Sequence, residues 1–214
     1  MARARASGVT GFVVPGVRAA GWERLRALSR QHGWRFALGT HPHALVGSRA
    51  VPEDLDGACA IGECGLDGGV PVEMDEQARV LDAHLGVARD AGLPVILHCW
   101  RAHDRLPALL RRHGTVRGVL HSYSGGPDLV DEYVRLGLHL SFAGAVTRPS
   151  ARKPLASLLA VPAERILVET DAPDQCPSPR RGRNEPAFLV DVVAAVARVR
   201  AEADLDANAR ALFG

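Results

Sequence analysis

Apolar residues in this chain fall into short runs separated by longer amphipathic stretches. Seven of the runs predict strands: Val9–Val14, Trp34–Leu38, Ala58–Ile61, Pro94–Leu97, Gly118–Leu120, Leu138–Phe142 and Ile166–Val168. Helical spacing occupies the intervals. It is clearest over Arg18–His32, where Trp22, Leu25 and Leu28 recur on one face, and over Met74–Asp90. Shorter helices are predicted over Leu106–Arg112, over Pro127–Leu136 and around Pro154–Leu159. Two more, Glu185–Val199 and Leu205–Phe213, follow the last strand. Gly33, Gly92, Gly114 and Gly137 stand where four of these helices should stop. Met1–Ser7 reads as the last turns of a helix closed by Gly8.

Strands separated by helical stretches imply parallel βαβ units. Two architectures fit: an open doubly wound sheet and a (β/α)8 barrel. Polar residues close many different strands here, which favours the barrel, because an open sheet gathers its site at one switch point. The expected fold is therefore α/β, a TIM-type (β/α)8 barrel. Only seven strands are counted, so the first strand of such a barrel is expected to be missing from this chain. A start placed downstream of that strand, or a cut chain, is the favoured explanation over a natural seven-stranded variant. No Ser-rich linker, charge block or low-complexity segment divides the sequence, and residues 1–214 are expected to form a single domain.

The ends of the strands carry the candidate chemistry. Ala58–Ile61 leads to Glu63, Pro94–Leu97 to His98, Gly118–Leu120 to His121, and Ile166–Val168 to Glu169, Thr170 and Asp171. A buried strand gains nothing from a charged or imidazole terminus unless such ends meet in a wet or metal-filled place. Glu63, His98, His121 and Asp171 are ligand types for zinc, manganese or ferrous iron. A single histidine would be a weak signal; two imidazoles and two carboxylates at equivalent positions make a metal site the favoured reading. Hydrolysis by a metal-activated water is the reaction class this implies. His41 and His43, flanking Pro42 after the second strand, read as a polar turn, or as contacts on the same rim to the substrate or to the side chains that hold the metal. His32, His84, His103, His113 and His139 lie mostly in helices or turns and read as packed or surface side chains, and Trp22 and Trp34 as core.

Composition narrows the picture further. The 214 residues are 47% hydrophobic and 23% charged, with a formal charge of +2. That balance offers no case for a nucleic-acid coat or a membrane-surface protein. No apolar run approaches the roughly 18 residues needed to span a bilayer. The cysteines, Cys59, Cys64, Cys99 and Cys176, form no CxxC pair and read as reduced thiols of a cytoplasmic protein. No GxGxxG or GxxxxGK[ST] follows a strand, which removes the usual dinucleotide and P-loop readings.

Seven segments, taken together, resemble one family. Gly39–His43 (GTHPH), Ala60–Asp67 (AIGECGLD), Leu93–Cys99 (LPVILHC), His121–Gly125 (HSYSG), Ser141–Thr147 (SFAGAVT), Glu169–Pro173 (ETDAP) and Arg183–Pro186 (RNEP) come in the order seen in TatD-type metal-dependent deoxyribonucleases. Asn208–Phe213 (NARALF) resembles that family's C-terminus. The resemblance implies a barrel of the metal-dependent hydrolase superfamily that cleaves phosphodiester bonds, commonly trimming DNA from its 3′ end. It implies one or two divalent ions per chain (magnesium, manganese or zinc) and a DNA substrate, with no membrane or protein partner. It further implies that Glu63 bridges two metals, that His98 and His121 hold one of them, and that Asp171 binds the other and orients or deprotonates the attacking water. Arg183 and Asn184 would hold the rim or the substrate.

The sequence also departs from that pattern. The family's opening His-x-His pair does not occur before Val9, so one metal position would keep only Glu63 and Asp171. Trp100 stands where the family usually has Arg, and Arg101 follows it. Gly68-Gly69 follows Asp67 where an aromatic residue is usual, so a base-stacking surface is either missing or supplied elsewhere. Two other readings compete with the nuclease. One is hydrolysis of a different ester or amide by the same ligands, since fold analogy alone does not decide chemistry. The other is a scaffold with impaired or no catalysis.

Overall fold

The computed structural model describes residues 1–214. In chain order the elements are α1 (Ala2–Ala6), β1 (Val13–Pro15), α2 (Trp22–His32), β2 (Arg35–Leu38), β3 (Ala60–Asp67), α3 (Met74–Ala91), β4 (Val95–Trp100), α4 (Leu106–Arg111) and β5 (Gly118–Leu120). Then come α5 (Val130–Arg135), β6 (Leu138–Phe142), α6 (Arg152–Ala160), β7 (Ile166–Val168), α7 (Leu189–Ala197) and α8 (Leu205–Phe213). This is the alternation expected of a TIM-type α/β chain with seven strands. The chain divides into two compact units: Gly11–Leu120 with Leu212–Gly214, and Met1–Thr10 with His121–Ala211.

The unit built on Gly11–Leu120 holds β1 to β5 in sequential order, every pair parallel. β3 and β4 are its centre. Ala60, Ile61, Cys64 and Leu66 of β3, and Val95, Ile96 and Leu97 of β4, are all buried, as strands covered on both faces must be. α3 packs against β3. Its buried face is Gln77, Val80, Leu81, His84, Leu85 and Ala88, a helical spacing throughout. Burial of each such aliphatic side chain contributes about 1.5–3 kcal/mol relative to exposure. Exposed pairs such as Arg105–Asp75 and Arg49–Glu76 contribute at most about 1 kcal/mol each. The core therefore fixes the strands. Asp75 and Glu76 in the first turn of α3 suit the helix dipole, and Gly92, left-handed at φ 66°, ends it.

The other unit carries β6 and β7, also parallel, with Leu140 opposite Ile166 and Phe142 opposite Val168. Tyr133, Leu138, Leu140, Phe142 and Ile166 are buried there. Asn208 of α8 donates to the carbonyls of Ala163 and Ile166, at 2.8 and 2.9 Å, which ties the final helix to the start of β7.

Several boundaries differ from expectation, among them those of three strands. β1 is confined to Val13–Pro15, because Gly8 turns at φ 88° and the Val9 N–H is already taken by the Ala4 carbonyl of α1 at 3.0 Å. β3 and β4 run beyond the apolar stretches, to Asp67 and Trp100. Parallel pairing joins backbones whatever the side chains, so the ladder continues past the point where the residues turn polar. Glu63 and His98 consequently lie within strands, not after them.

Candidate metal centre

Glu63 sits at an irregularity in the β3–β4 ladder. Gly62 pairs with Ile96 and Cys64 with Leu97, so Glu63 is the extra residue. A bulge of this kind re-aims a side chain and is frequent beside active sites. Nearby, Gly65 at φ 155° allows the closest approach: a Cβ there would lie 2.0 Å from the His98 carbonyl oxygen. Only glycine lets β3 and β4 come together at that level. The Glu63 N–H donates to the Gly16 carbonyl at 2.8 Å, which anchors the bulge to the segment after β1.

Three side chains converge on this point. Glu63 Oε1 lies 3.2 Å from His41 Nε2 and 3.2 Å from His98 Nδ1. One donor atom from each of His41, Glu63 and His98 falls within 4.8 Å of the others. The two imidazole rings meet edge to face at 4.4 Å between centroids. Glu63 is 8% and His41 7% exposed, so a carboxylate and an imidazole have been withdrawn from water together. Burial of that kind is costly unless the charge is paired or holds a cation.

Second contacts orient both rings. The His43 N–H donates to His41 Nδ1 at 3.1 Å, which leaves Nε2 to face Glu63. His98 Nε2 meets Asp67 Oδ2 at 3.1 Å. A carboxylate only accepts, so Nε2 carries a proton, and in the form that holds a cation the Nδ1 lone pair faces Glu63. Carboxylate-held histidines are the usual supports of metal ligands. Asp67 is itself clamped by buried Gln77, which accepts from the Asp67 N–H at 2.7 Å and donates to its carbonyl at 3.0 Å. Cys64, fully buried next to Glu63, has its thiol pushed well above the ordinary range by burial and then by the Glu63 charge, which keeps it out of the donor set.

Glu63 and the Nδ1 of His98 fit a divalent ion as they stand; His41, whose Nδ1 accepts the His43 N–H, presents a protonated Nε2 to Glu63 and would lend a lone pair only once that contact is released. Four ligands at the 2.0–2.2 Å of zinc–nitrogen and zinc–oxygen bonds stand about 3.3 Å apart. The two separations to Glu63 Oε1, 3.2 Å each, are of that size. The donor types suit zinc, manganese or a similar borderline cation, without selecting one.

Of the remaining expected residues, all but His43 lie in the other unit. His121 Nδ1 meets Glu169 Oε1 at 3.2 Å. Asp171 is left-handed at φ 55°, and its Oδ2 accepts from Gln175 Nε2 at 2.6 Å. Asn184, 3% exposed, donates to the carbonyls of Thr170 and Asp174 at 2.6 and 2.7 Å and so braces the loop that carries Asp171. Of the two roles expected for Asn184, these bonds match holding the rim. Arg183 and His43 are exposed. His41, expected as a turn residue or as a substrate or supporting contact, has a donor atom within 4.8 Å of those of Glu63 and His98. Glu169 is one of the polar residues closing its strand but was given no role, and Asp67 stands only inside the AIGECGLD segment. The signal that could have found them is the same one that found Glu63: a carboxylate where an apolar run ends.

A profile of the family described as TatD related DNase matches residues 1–214. Among curated relatives, the 3'-5' ssDNA/RNA exonuclease TatD of Klebsiella pneumoniae (strain 342) is 39% identical over 237 residues, covering 100% of this chain and 90% of that protein. Its counterpart in Pantoea sp. (strain At-9b) is 37% identical over 238 residues, covering 100% and 91%. Among solved structures, YJJV, a TatD homolog from Escherichia coli k12, superposes with a TM-score of 0.88 at 32% identity, over 99% of this chain and 86% of that one. A hydrolase TatD family protein from Entamoeba histolytica, at 16% identity and TM-score 0.81 over 99% and 85%, shares the fold. The chain thus belongs to the TatD related DNase family, and its fold is that of a metal-dependent hydrolase acting on ester bonds.

Proposed function

We infer that this protein is a metal-dependent 3'-5' exonuclease acting on single-stranded DNA or RNA. What carries the reading is the donor cluster of His41, Glu63 and His98 in a chain matched along its whole length by a relative of that name. Bound there, a divalent ion would supply Lewis-acid chemistry, polarising the scissile phosphoryl group and acidifying a water. Glu63 provides the anionic centre of the cluster, with an imidazole on each side of its Oε1. Asp67 holds the His98 ring in register. Asp171 accepts the proton of the attacking water while Gln175 steadies its Oδ2. His121, whose Nδ1 meets Glu169 Oε1 at 3.2 Å, is assigned as a further metal ligand in its own unit. His43 and Arg183 offer exposed contacts to the sugar–phosphate chain.

The test uses the purified chain and a 5′-labelled single-stranded oligonucleotide with magnesium or manganese. The expected outcome is a ladder shortening from the 3′ end that a chelator stops. Glu63→Ala and His98→Ala should each abolish both the ladder and stoichiometric metal binding. Cleavage that survives the chelator, or survives both substitutions, would overturn the assignment.

A further inference from the structure

Two residues beyond His98, β4 ends in Trp100, whose indole is 46% exposed, while Trp22 and Trp34 are more covered. Trp22 donates its indole N–H to the Gly39 carbonyl at 3.0 Å, and Trp34 stacks on His32 at 4.8 Å. Trp100 is therefore the tryptophan this unit presents to solvent. Leaving so large an apolar ring half in water forgoes part of the stabilisation that burial would give it. The neighbouring Arg101 guanidinium lies 5.7 Å from the Trp100 ring centroid. Arg49, Arg105 and Arg112 are each matched to a carboxylate, whereas Arg101 has none.

The backbone is shaped to hold this pair. Arg101 is left-handed at φ 51°, a conformation unfavourable for a residue with a Cβ. Opposite it, a Cβ on Gly68 would meet the Arg101 carbonyl oxygen at 2.7 Å and the Arg101 Cβ at 3.1 Å, so the side chain missing from β3's end makes room for the turn after β4. Gly69 faces the indole edge, with the Trp100 Cδ1 3.6 Å from where a Cβ would stand. The Gly68 N–H donates to the Trp100 carbonyl at 2.7 Å, and the Gly69 N–H to Asp67 Oδ1 at 2.7 Å. The other oxygen of that carboxylate holds His98. Asp67 and Trp100 are also register partners in the ladder. One carboxylate thus ties the donor cluster to the seat of the exposed indole.

We propose that Trp100 and Arg101 form a nucleotide subsite beside the metal centre, the indole stacking on a nucleobase and the guanidinium meeting an adjacent phosphate. The proposal rests on the nuclease reading and adds the residues that grip the strand. An indole offers any base a stacking face without reading its identity, which suits an enzyme that trims unrelated sequences. Arg supplies a charge-assisted contact to phosphate in a planar fork.

Binding can be read separately from cleavage. The full chain with its metal is titrated with a phosphorothioate-linked thymidine tetranucleotide, which resists hydrolysis, and with an abasic tetramer of the same backbone, followed by tryptophan emission and calorimetry. The thymidine tetramer should bind roughly ten-fold tighter than the abasic one and quench emission. Trp100→Ala should remove that preference and the quench, and Trp100→Phe should keep most of the preference. Arg101→Ala should weaken both ligands alike and reduce the slope of log K against log salt by about 0.7. Equal affinities for the two tetramers in the unmodified protein, or a Trp100→Ala protein of unchanged circular dichroism that keeps the preference, would overturn the subsite. If the labelled oligonucleotide is cleaved but Trp100→Ala alters nothing, the subsite alone falls. If no oligonucleotide is bound or cleaved, the nuclease reading falls and the subsite with it.

Discussion

At the scale of single residues, the candidate site depends on which nitrogen of each ring faces Glu63. Asp67 decides this for His98 by holding Nε2, and the His43 backbone decides it for His41 by occupying Nδ1. Removing the Asp67 charge while keeping its shape should loosen the ring without emptying the cluster. Asp67→Asn is therefore expected to weaken metal binding about 10- to 100-fold, the usual cost of losing an outer partner. Metal titration by calorimetry checks it, and an unchanged dissociation constant would mean that Asp67 does not set the ring. Glu63 and His98 were legible as candidates because each interrupts an apolar run. The third member of the cluster was not. Nothing in Gly39–His43 distinguishes a ligand from a substrate contact, since that depends on where the turn after β2 folds back.

At the scale of elements, α3 is joined to the turn after β2 by a buried histidine. His84, 0% exposed, donates from Nδ1 to the Val80 carbonyl at 2.8 Å and accepts the Thr40 N–H at Nε2, 3.2 Å away. Both nitrogens are used in the neutral form, and a second ring proton would point at the Thr40 N–H. Burial lowers its pKa from the ordinary 6.5. The unfolded chain then takes up a proton that the native state refuses. Above pH ~6.5 the residue costs nothing. As pH falls below that value, stability drops by up to about 1.4 kcal/mol per unit until the folded pKa is reached. Urea midpoints at pH 7.5, 6.5 and 5.5 should decline for the native sequence and decline less steeply for His84→Gln. Parallel slopes for the two proteins would remove His84 as the cause. Its position in a helix had marked it as a packed side chain, and it is one.

At the scale of the whole molecule, an ion that binds only the folded chain must stabilise it. At 100 times its dissociation constant the gain is about 2.7 kcal/mol, or about 5–10 °C in melting temperature for a chain of this size. Differential scanning calorimetry with and without a chelator should show that shift in the native sequence and none in Glu63→Ala. Equal melting temperatures would argue against a resident ion. The sequence by itself determined the order of elements, the parallel α/β class and the family. Each follows from local periodicity, glycine stops and motifs that survive without knowledge of neighbours. Only the tertiary structure decided that β3 and β4 continue through Glu63 and His98, that Glu63 is the extra residue of a bulge, and that His41 lies 3.2 Å from its carboxylate. Those facts arise from backbone ladders and close approaches between segments more than 20 residues apart, and hydrophobic patterning records which side chains are buried, not how two strands slide past one another.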